Sequence, residues 1–461
     1  MIHMSEPQLQ VGVLRTEHLT FDVHDGYESP EGVPLEAGRY EAMLESAETE
    51  QPGLVKVTTT NFEVSVPEFV ARSKNAGETS FAASNVQIGI GFHWQRAERQ
   101  EFKGNLKVIR DPESRLILVN EIGLESYLES VISSEMSDHA NIELLKAHAV
   151  ISRSWAIAQL IGRSTEGEGK IGDSGADPIN NGKKVIWRWY DRENHEQFDF
   201  CADDHCQRYQ GITKAATRNA SLAVRETRGQ VLVFDGSVCD TRFSKSCGGM
   251  TEEFASAWDN LEIPYLSARF DGDSVPAYFA LPLSTEENAR IWIEGSPPAF
   301  CNSHDQAVLN RILPDFDRST SDFYRWMIEI GQQELQEILF DKLADAGKLG
   351  AIKALVPLKR GPSGRIIRLR IEGTAGTLEM GKELEIRRAL SKSHLYSSAF
   401  VVDTVGKAGN IPERFVLRGA GWGHGVGLCQ IGAAVMADRG YRFEEILEHY
   451  FQSAELLRVY E

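Results

Sequence analysis

Nowhere in the 461 residues is there an unbroken apolar run of about 18, the length a membrane-crossing helix needs. The opening residues, MIHMSEPQLQVGVLRTEH, lack the basic start and apolar core of a secretory signal, so the chain reads as cytoplasmic or stripped of a leader. Positive charge is in deficit. Lysine and arginine number 49 against 67 aspartates and glutamates, a net charge of −18 that disfavours nucleic acid and acidic membrane surfaces as partners. Cysteine is scarce too, and six in so long a chain exclude a disulfide scaffold. Four of them, Cys239, Cys247, Cys301 and Cys429, are scattered and read as small buried hydrophobes. Also missing are a GK[ST] phosphate loop and a GxGxxG fingerprint, so no organic cofactor is expected.

What is present is the composition of a folded enzyme-sized chain, with 42% hydrophobic and 25% charged residues. Residues 8–120 read as short strands between turn signals: QVGVLRT, GRYEAMLESA, GLVKVTTTNFEVSV, NVQIGIGFHW, GNLKVIRD and SRLILVNEI. From Gly123 the period changes. Leu124, Leu128, Val131 and Ile132 fall at helical spacing, and IELLKAHAVISRSWAIAQL follows after a polar break, which predicts a helical hairpin. Residues 164–185 read as a solvated loop, strand-like pieces resume at VLVFDG and VCDTRFSKS, and DFYRWMIEIGQQELQEILFDKLADAG reads as amphipathic helix. RIIRLRIEG and TLEMGKELEIRRAL then bring back a strand and a helix. The class is α+β: a helical hairpin with a β-rich core and helical insertions, not the regular βαβ alternation of a doubly wound sheet.

Five places can carry chemistry. Glu135, eleven residues after Leu124, shares the apolar face of the first helix. It is either a helix-end glutamate turned to solvent or a desolvated carboxyl whose raised pKa suits a general acid. Lys146 and Arg153 lie seven residues apart on one face of the second helix, and form either a cationic pair for an anionic or carbonyl-bearing substrate or a solvated, ion-paired face. HEQFDFCADDHC puts His195, Cys201, His205 and Cys206 within twelve residues, which suits a closed, structural zinc site, with a Cys201–Cys206 disulfide or inert thiols as the alternatives. RFSKSCGGMTEE ends a strand in a Ser/Cys/Gly/Gly turn that brings Ser244 and Lys245 towards a ligand; a Cys247 nucleophile with His424 as base is a weaker reading, since no nucleophile signature accompanies it. Finally, RGAGWGHGVGLCQIGA alternates Gly421, Gly423, Gly425 and Gly427 around Trp422 and His424 before a helix expected near Leu428. It is either a tight turn holding a satisfied histidine or a wall of a cleft in which Trp422, His424 and Gln430 meet substrate.

Taken together these segments resemble the SpoIID/LytB family, the sporulation protein D and amidase-enhancer group. VNEIGLESYLESVISSEM with ELLKAHAVISRSWA looks like its first block, RFSKSCGGMTEE like its middle block, and LRGAGWGHGVGLCQIGAAVMADRGYRFEEILEHYF like its last. The resemblance implies a β-rich region over 1–107 and a catalytic domain over 108–455, with insertions near 164–200 and 260–350. It also implies lytic transglycosylase chemistry on peptidoglycan glycan strands stripped of their peptides, with the catalytic glutamate on Glu135 and its basic companions on Lys146 and Arg153. Some members carry zinc on a His and Cys cluster like the one above. Cys247 departs from the family, which often has a small polar or glycine residue there. The rival within the resemblance is a non-enzymatic enhancer that binds peptidoglycan or a cell-wall amidase. A zinc hydrolase is a third class, disfavoured because four clustered ligands close the metal's shell. The substrate places the protein in the cell envelope, for which no export signal is visible.

Overall fold

The computed structural model describes residues 4–45, 53–75, 77–90, 95–136, 139–165, 185–189, 195–203, 205–213, 218–303, 305, 309–311, 322–343 and 346–461. The loop expected over 164–185 falls almost wholly outside them. The chain forms two compact units: residues 1–165, 194–231 and 457–461 make the first, and residues 166–193 and 232–456 the second. The units therefore do not part at residue 107. The strands before that point and the helices after it belong to one body, because they share a core.

In the first unit two six-stranded sheets face each other. One runs in the order Phe200–Cys201, Gln8–Thr16, Leu116–Gly123, Asn105–Arg110, Phe69–Ser73, Tyr27–Glu28; the other runs Glu63–Val66, Val55–Thr58, Gly38–Leu44, His18–Val23, Ser80–Ile88, Arg96–Lys103. Alternation decides which side chains go inward: Leu19, Phe21 and Val23 are buried on one strand and Tyr40 and Ala42 on its neighbour. Phe21 stacks on Tyr40 with ring centroids 5.4 Å apart. The six strand-like runs read from the sequence each contain a strand. Four others, His18–Val23, Tyr27–Glu28, Phe69–Ser73 and Arg96–Lys103, lie outside those runs, because charges or short length dilute their alternation.

The helical hairpin forms as its periodicity predicts: α1 spans Leu124–Glu135 and α2 spans Ile142–Thr165. No side chain at Gly123 caps α1. Instead Pro7 O accepts from Leu124 N at 3.0 Å and the Glu6 carboxylate from Glu125 N at 3.1 Å, tying the start of α1 to the first strand. A third helix, α3 (Arg218–Glu226), packs against both.

The second unit is built on a four-stranded sheet (Val185–Trp187, Thr377–Gly381, Ile366–Gly373, Ile352–Arg360) and a three-stranded sheet (Arg325–Gly331, Ile411–Ala420, Phe400–Ala408). Leu335, Leu339, Ile366, Leu369, Ile386 and Phe415 lie in its core. One expectation is corrected here. The segment beginning DFYRW is not helical throughout: Arg325–Gly331 is a strand paired antiparallel with Ile411–Ala420, and only Gln332–Lys342 is helix. The period of two explains it, for Trp326 and Ile330 are buried while Met327 is 60% exposed. The short strands Phe243–Ser244 and Leu428–Cys429 pair in parallel, which draws the Ser/Cys/Gly/Gly turn against the glycine loop. The helix expected near Leu428 starts after that strand, at Gln430–Asp438. The architecture is α+β. Among the described residues no helix is long and apolar enough to cross a membrane.

Candidate functional site

Glu135 is the last residue of α1 and is 8% exposed. It sits on the face that also buries Leu124, Leu128 and Val131, as its spacing required. Its Oε1 accepts from the main-chain amide of Arg208 at 3.0 Å. That amide belongs to a segment laid along α1: Gln210 N donates to Ser130 Oγ at 3.1 Å, and Tyr209 OH donates to Asn120 Oδ1 at 2.5 Å. None of these partners was legible beforehand, because a main-chain amide leaves no mark in the residue types.

Arg153 is fully enclosed. Its Nε and Nη2 donate to the two oxygens of Glu125 at 2.8 and 2.7 Å, and its Nη1 to Gln230 O at 3.1 Å. Glu125 also accepts from Tyr460 OH at 2.5 Å. Burial alone would raise the Glu125 pKa, but Arg153 first, then Tyr460 and the Gly229 amide, outweigh it and hold the carboxyl below its ordinary range. With its fork spent and no surface to offer, Arg153 locks α2 to α1, which corrects its reading as a substrate contact. Glu125, which sequence reasoning overlooked, is its partner. Lys146 is half-buried, with Nζ 2.9 Å from Glu143 and 2.8 Å from Glu226; desolvation opposes its charge, but those carboxylates prevail and raise its pKa. It thus bridges α2 to α3.

His195, Cys201, His205 and Cys206 converge as expected, their donor atoms all within 4.8 Å of one another. Both cysteines are free thiols. Sγ of Cys206 lies 3.5 Å from His195 Nε2 and 3.6 Å from His205 Nδ1, and Cys201 Sγ lies 3.8 Å from His205 Nδ1. The edges of a tetrahedron around zinc, with Zn–S about 2.3 Å and Zn–N about 2.0 Å, are about 3.3–3.8 Å. The donor set and its spacing therefore fit zinc. Cys206 first, with His195 and His205 behind it, holds the Cys201 thiol well below its ordinary value, the thiolate form that a metal requires. Cys206 is two residues from the Arg208 amide that holds Glu135, so the cluster anchors the segment along α1.

In the second unit all four loop glycines adopt the left-handed region, Gly421 at φ 78°, Gly423 at 94°, Gly425 at 78° and Gly427 at 74°. They do so to pass close neighbours. A Cβ on Gly425 would stand 2.3 Å from the buried Arg365 guanidinium, and one on Gly427 would stand 2.1 Å from Arg242 O. Arg365 donates to Gly423 O at 3.1 Å and to Ser363 Oγ at 3.0 Å, and Ser363 in turn donates to the buried Glu252 at 2.5 Å.

His424 Nδ1 accepts from Val426 N at 3.0 Å, and the ring is hydrogen-bonded to the main chain of Phe243. Burial, then Arg242, Arg365 and Arg387, push its pKa well down, so the imidazole is neutral. Main-chain groups hold the ring in this orientation, as in a tight turn, and part of the side chain stays open to solvent. Ser244 and Gln430 are enclosed, at 6% and 2% exposure, whereas His424 is only half-buried. Trp422 and Lys245 keep some exposed surface; the Trp422 ring packs on Tyr396 with centroids 4.3 Å apart. Cys247 faces Cys301 and Cys429 rather than His424, so the nucleophile–base pairing does not form.

Residues 112–234 match the family model described as stage II sporulation protein (SpoIID), and residues 252–427 match a domain of unknown function (DUF8618). The chain is 23% identical over 358 residues to an uncharacterized protein of Brachyspira hyodysenteriae, covering 77% of this chain and 72% of the relative. It is 23% identical to the amidase enhancer of Bacillus subtilis over 71% of this chain but only 40% of that protein. Identity to stage II sporulation protein D of Bacillus amyloliquefaciens is 24%, over 73% of this chain and 75% of the relative. The matched segment 112–234 holds α1, α2, Glu135 and the His/Cys cluster, so the similarity to the stage II sporulation protein family rests on the part of the chain that builds the candidate site.

Proposed function

We propose that the protein cleaves peptidoglycan glycan strands as a lytic transglycosylase, with Glu135 as its single catalytic carboxyl group. The observation that carries this reading is the placement of Glu135: enclosed at the end of α1, with one oxygen held by the Arg208 amide. That leaves Oε2 to carry the proton. In the first half of the reaction Oε2 protonates the glycosidic oxygen between N-acetylmuramic acid and N-acetylglucosamine as the C1–O bond breaks. In the second half the muramyl 6-hydroxyl bonds to C1 and gives its proton to the same carboxylate, closing a 1,6-anhydro ring and restoring the acid. No water is consumed, so no second carboxylate is needed, in contrast to a hydrolase.

Zinc on His195, Cys201, His205 and Cys206 would supply rigidity and no Lewis-acid step, since four protein ligands complete its shell. His195, Cys201, His205 and Cys206, so joined, would fix the segment whose Arg208 amide orients Glu135. Arg153 acts as a positioning residue through Glu125.

Glu135→Gln assayed on peptide-free glycan strands tests the reading, with folding checked by circular dichroism. Anhydromuramyl products, read by mass spectrometry, should appear with the parent protein and vanish with the variant; equal release from both would refute it. Similarity to the amidase enhancer of Bacillus subtilis favours a second reading, a peptidoglycan-binding stimulator of a cell-wall amidase. A parent protein that yields no anhydro product yet accelerates an amidase would establish that reading instead.

A further inference from the structure

Three of the four cysteines that looked scattered in the sequence meet in the second unit. Cys247, Cys301 and Cys429 come together with Asp271, their donor atoms all within 4.8 Å of one another and each residue no more than 2% exposed. All three cysteines are free thiols. From this geometry we propose a second zinc site, wholly buried, with Cys247, Cys301, Cys429 and Asp271 as its ligands.

The separation of the sulfurs fits a metal. Cys247 and Cys301 place their Sγ atoms 3.7 Å apart, against about 3.8 Å for two thiolates on one tetrahedral zinc. The hydrogen bonds around the cluster point towards anionic ligands. Cys247 N donates to Cys429 Sγ at 3.2 Å, and the two oxygens of Asp271 accept separately, Oδ1 from Tyr450 OH at 2.6 Å and Oδ2 from Cys301 N at 2.9 Å. Every one of these is an outer group donating to a ligand, the arrangement that orients a metal's inner shell. Positive charge stands nearby: Arg365 donates to Cys247 O at 3.3 Å and Arg325 to Gly248 O at 3.1 Å. Three thiolates select a soft or borderline ion, and a single carboxylate with four-fold closure suits Zn²⁺.

The four ligands come from separate segments. Cys247 lies in the turn after Phe243–Ser244, Asp271 is paired through its amide to Gly249 O, Cys301 follows Phe300, and Cys429 is the residue preceding the helix Gln430–Asp438. An ion there would staple the turn, the glycine loop and the stretch around 271–301 into one body. The helix is shaped to this end, for a Cβ on Gly432 would stand 2.5 Å from Asp271 Oδ1 and 2.4 Å from Tyr450 OH.

The site is tested on the full chain by counting zinc per protein with mass spectrometry of the elements, after equilibration with equimolar zinc and gel filtration. Cys201→Ser/Cys206→Ser disables the half-exposed cluster and touches none of the four buried ligands. This double variant should retain one zinc, and X-ray absorption at the zinc edge should report three sulfurs at about 2.3 Å and one oxygen at about 2.0–2.2 Å. Adding Cys301→Ser should bring the count to zero; if that triple variant does not fold, the absorption spectrum of the double variant decides alone. A double variant that holds no zinc, or whose intact mass is lower by two hydrogens because Cys247 and Cys301 have joined, would overturn the proposal. The result is independent of whether the parent's first cluster loads, and of whether the protein cleaves glycan.

Discussion

The two four-ligand groups of this protein differ in almost every physical respect. His195, Cys201, His205 and Cys206 lie within twelve residues, are partly open to water, and are held by a local turn. Cys247, Asp271, Cys301 and Cys429 span 182 residues from first to last and are shut away from solvent. A short-range cluster needs only its own segment to be in place before a metal can enter. A long-range cluster exists only once the second unit has folded, so any ion it holds is linked to the stability of the whole unit. One arrangement can fix the segment whose amide holds Glu135; the other can only hold a core.

Experiments that separate the two roles can be ranked by size. Glu135→Gln should lower release of anhydro product by about 10²–10⁴-fold while leaving metal content unchanged, since the residue ligates nothing. This sets the scale for effects near the first cluster. Arg153→Met should cost about 3–5 kcal/mol in urea unfolding, because it strands Glu125 as a buried, unpaired carboxylate.

That pair also fixes a pH dependence. The Glu125 pKa is depressed on folding, so its stabilising contribution is present above the unfolded carboxylate value and is lost as pH falls through the lower folded value. The parent should lose stability across that acid window, and Arg153→Met should show a flatter slope there.

Gly425→Ala probes the second unit. It forces a side chain into φ 78° and against Arg365, and should cost about 1–3 kcal/mol, read as a lower Tm. Cys206→Ser should reduce turnover by roughly 10-fold with KM nearly unchanged, because it loosens the segment carrying the Arg208 amide and leaves substrate contacts in place. The smallest expected effect is Lys146→Met, within about 1 kcal/mol, since its ion pairs are partly solvated. Equal losses of turnover from Cys206→Ser and Glu135→Gln would erase the proposed distinction between a supporting His/Cys cluster and a catalytic carboxyl group.

The sequence revealed what is local. Helical period disclosed α1 and α2, alternation disclosed six strands, and close spacing disclosed the first cluster. Glu135 stood out because a carboxylate on an apolar face is an anomaly. What stayed hidden depends on chain crossings: Glu125 and Arg153 are 28 residues apart, and nothing in either segment marks one as the other's partner. The same holds for Asp271, an unremarkable residue in RFDGD until the fold sets it beside three thiols. The partners of His424 stayed hidden for a related reason, since they are main-chain groups and main chain is invisible in residue types.

The phenol of Tyr460 reaches Glu125 across 335 residues, and Val459 N donates to Gly229 O in the same first unit. A ribosome adding about 5–20 residues per second would emit Glu125 roughly 15–70 s before the group that completes its hydrogen bonding. The first unit must therefore wait, part-assembled, while the whole of the second is made. Its earliest strands and α1 spend that interval without their closing strap, which makes the period of synthesis the time at which this fold is most exposed to proteases and in greatest need of a chaperone.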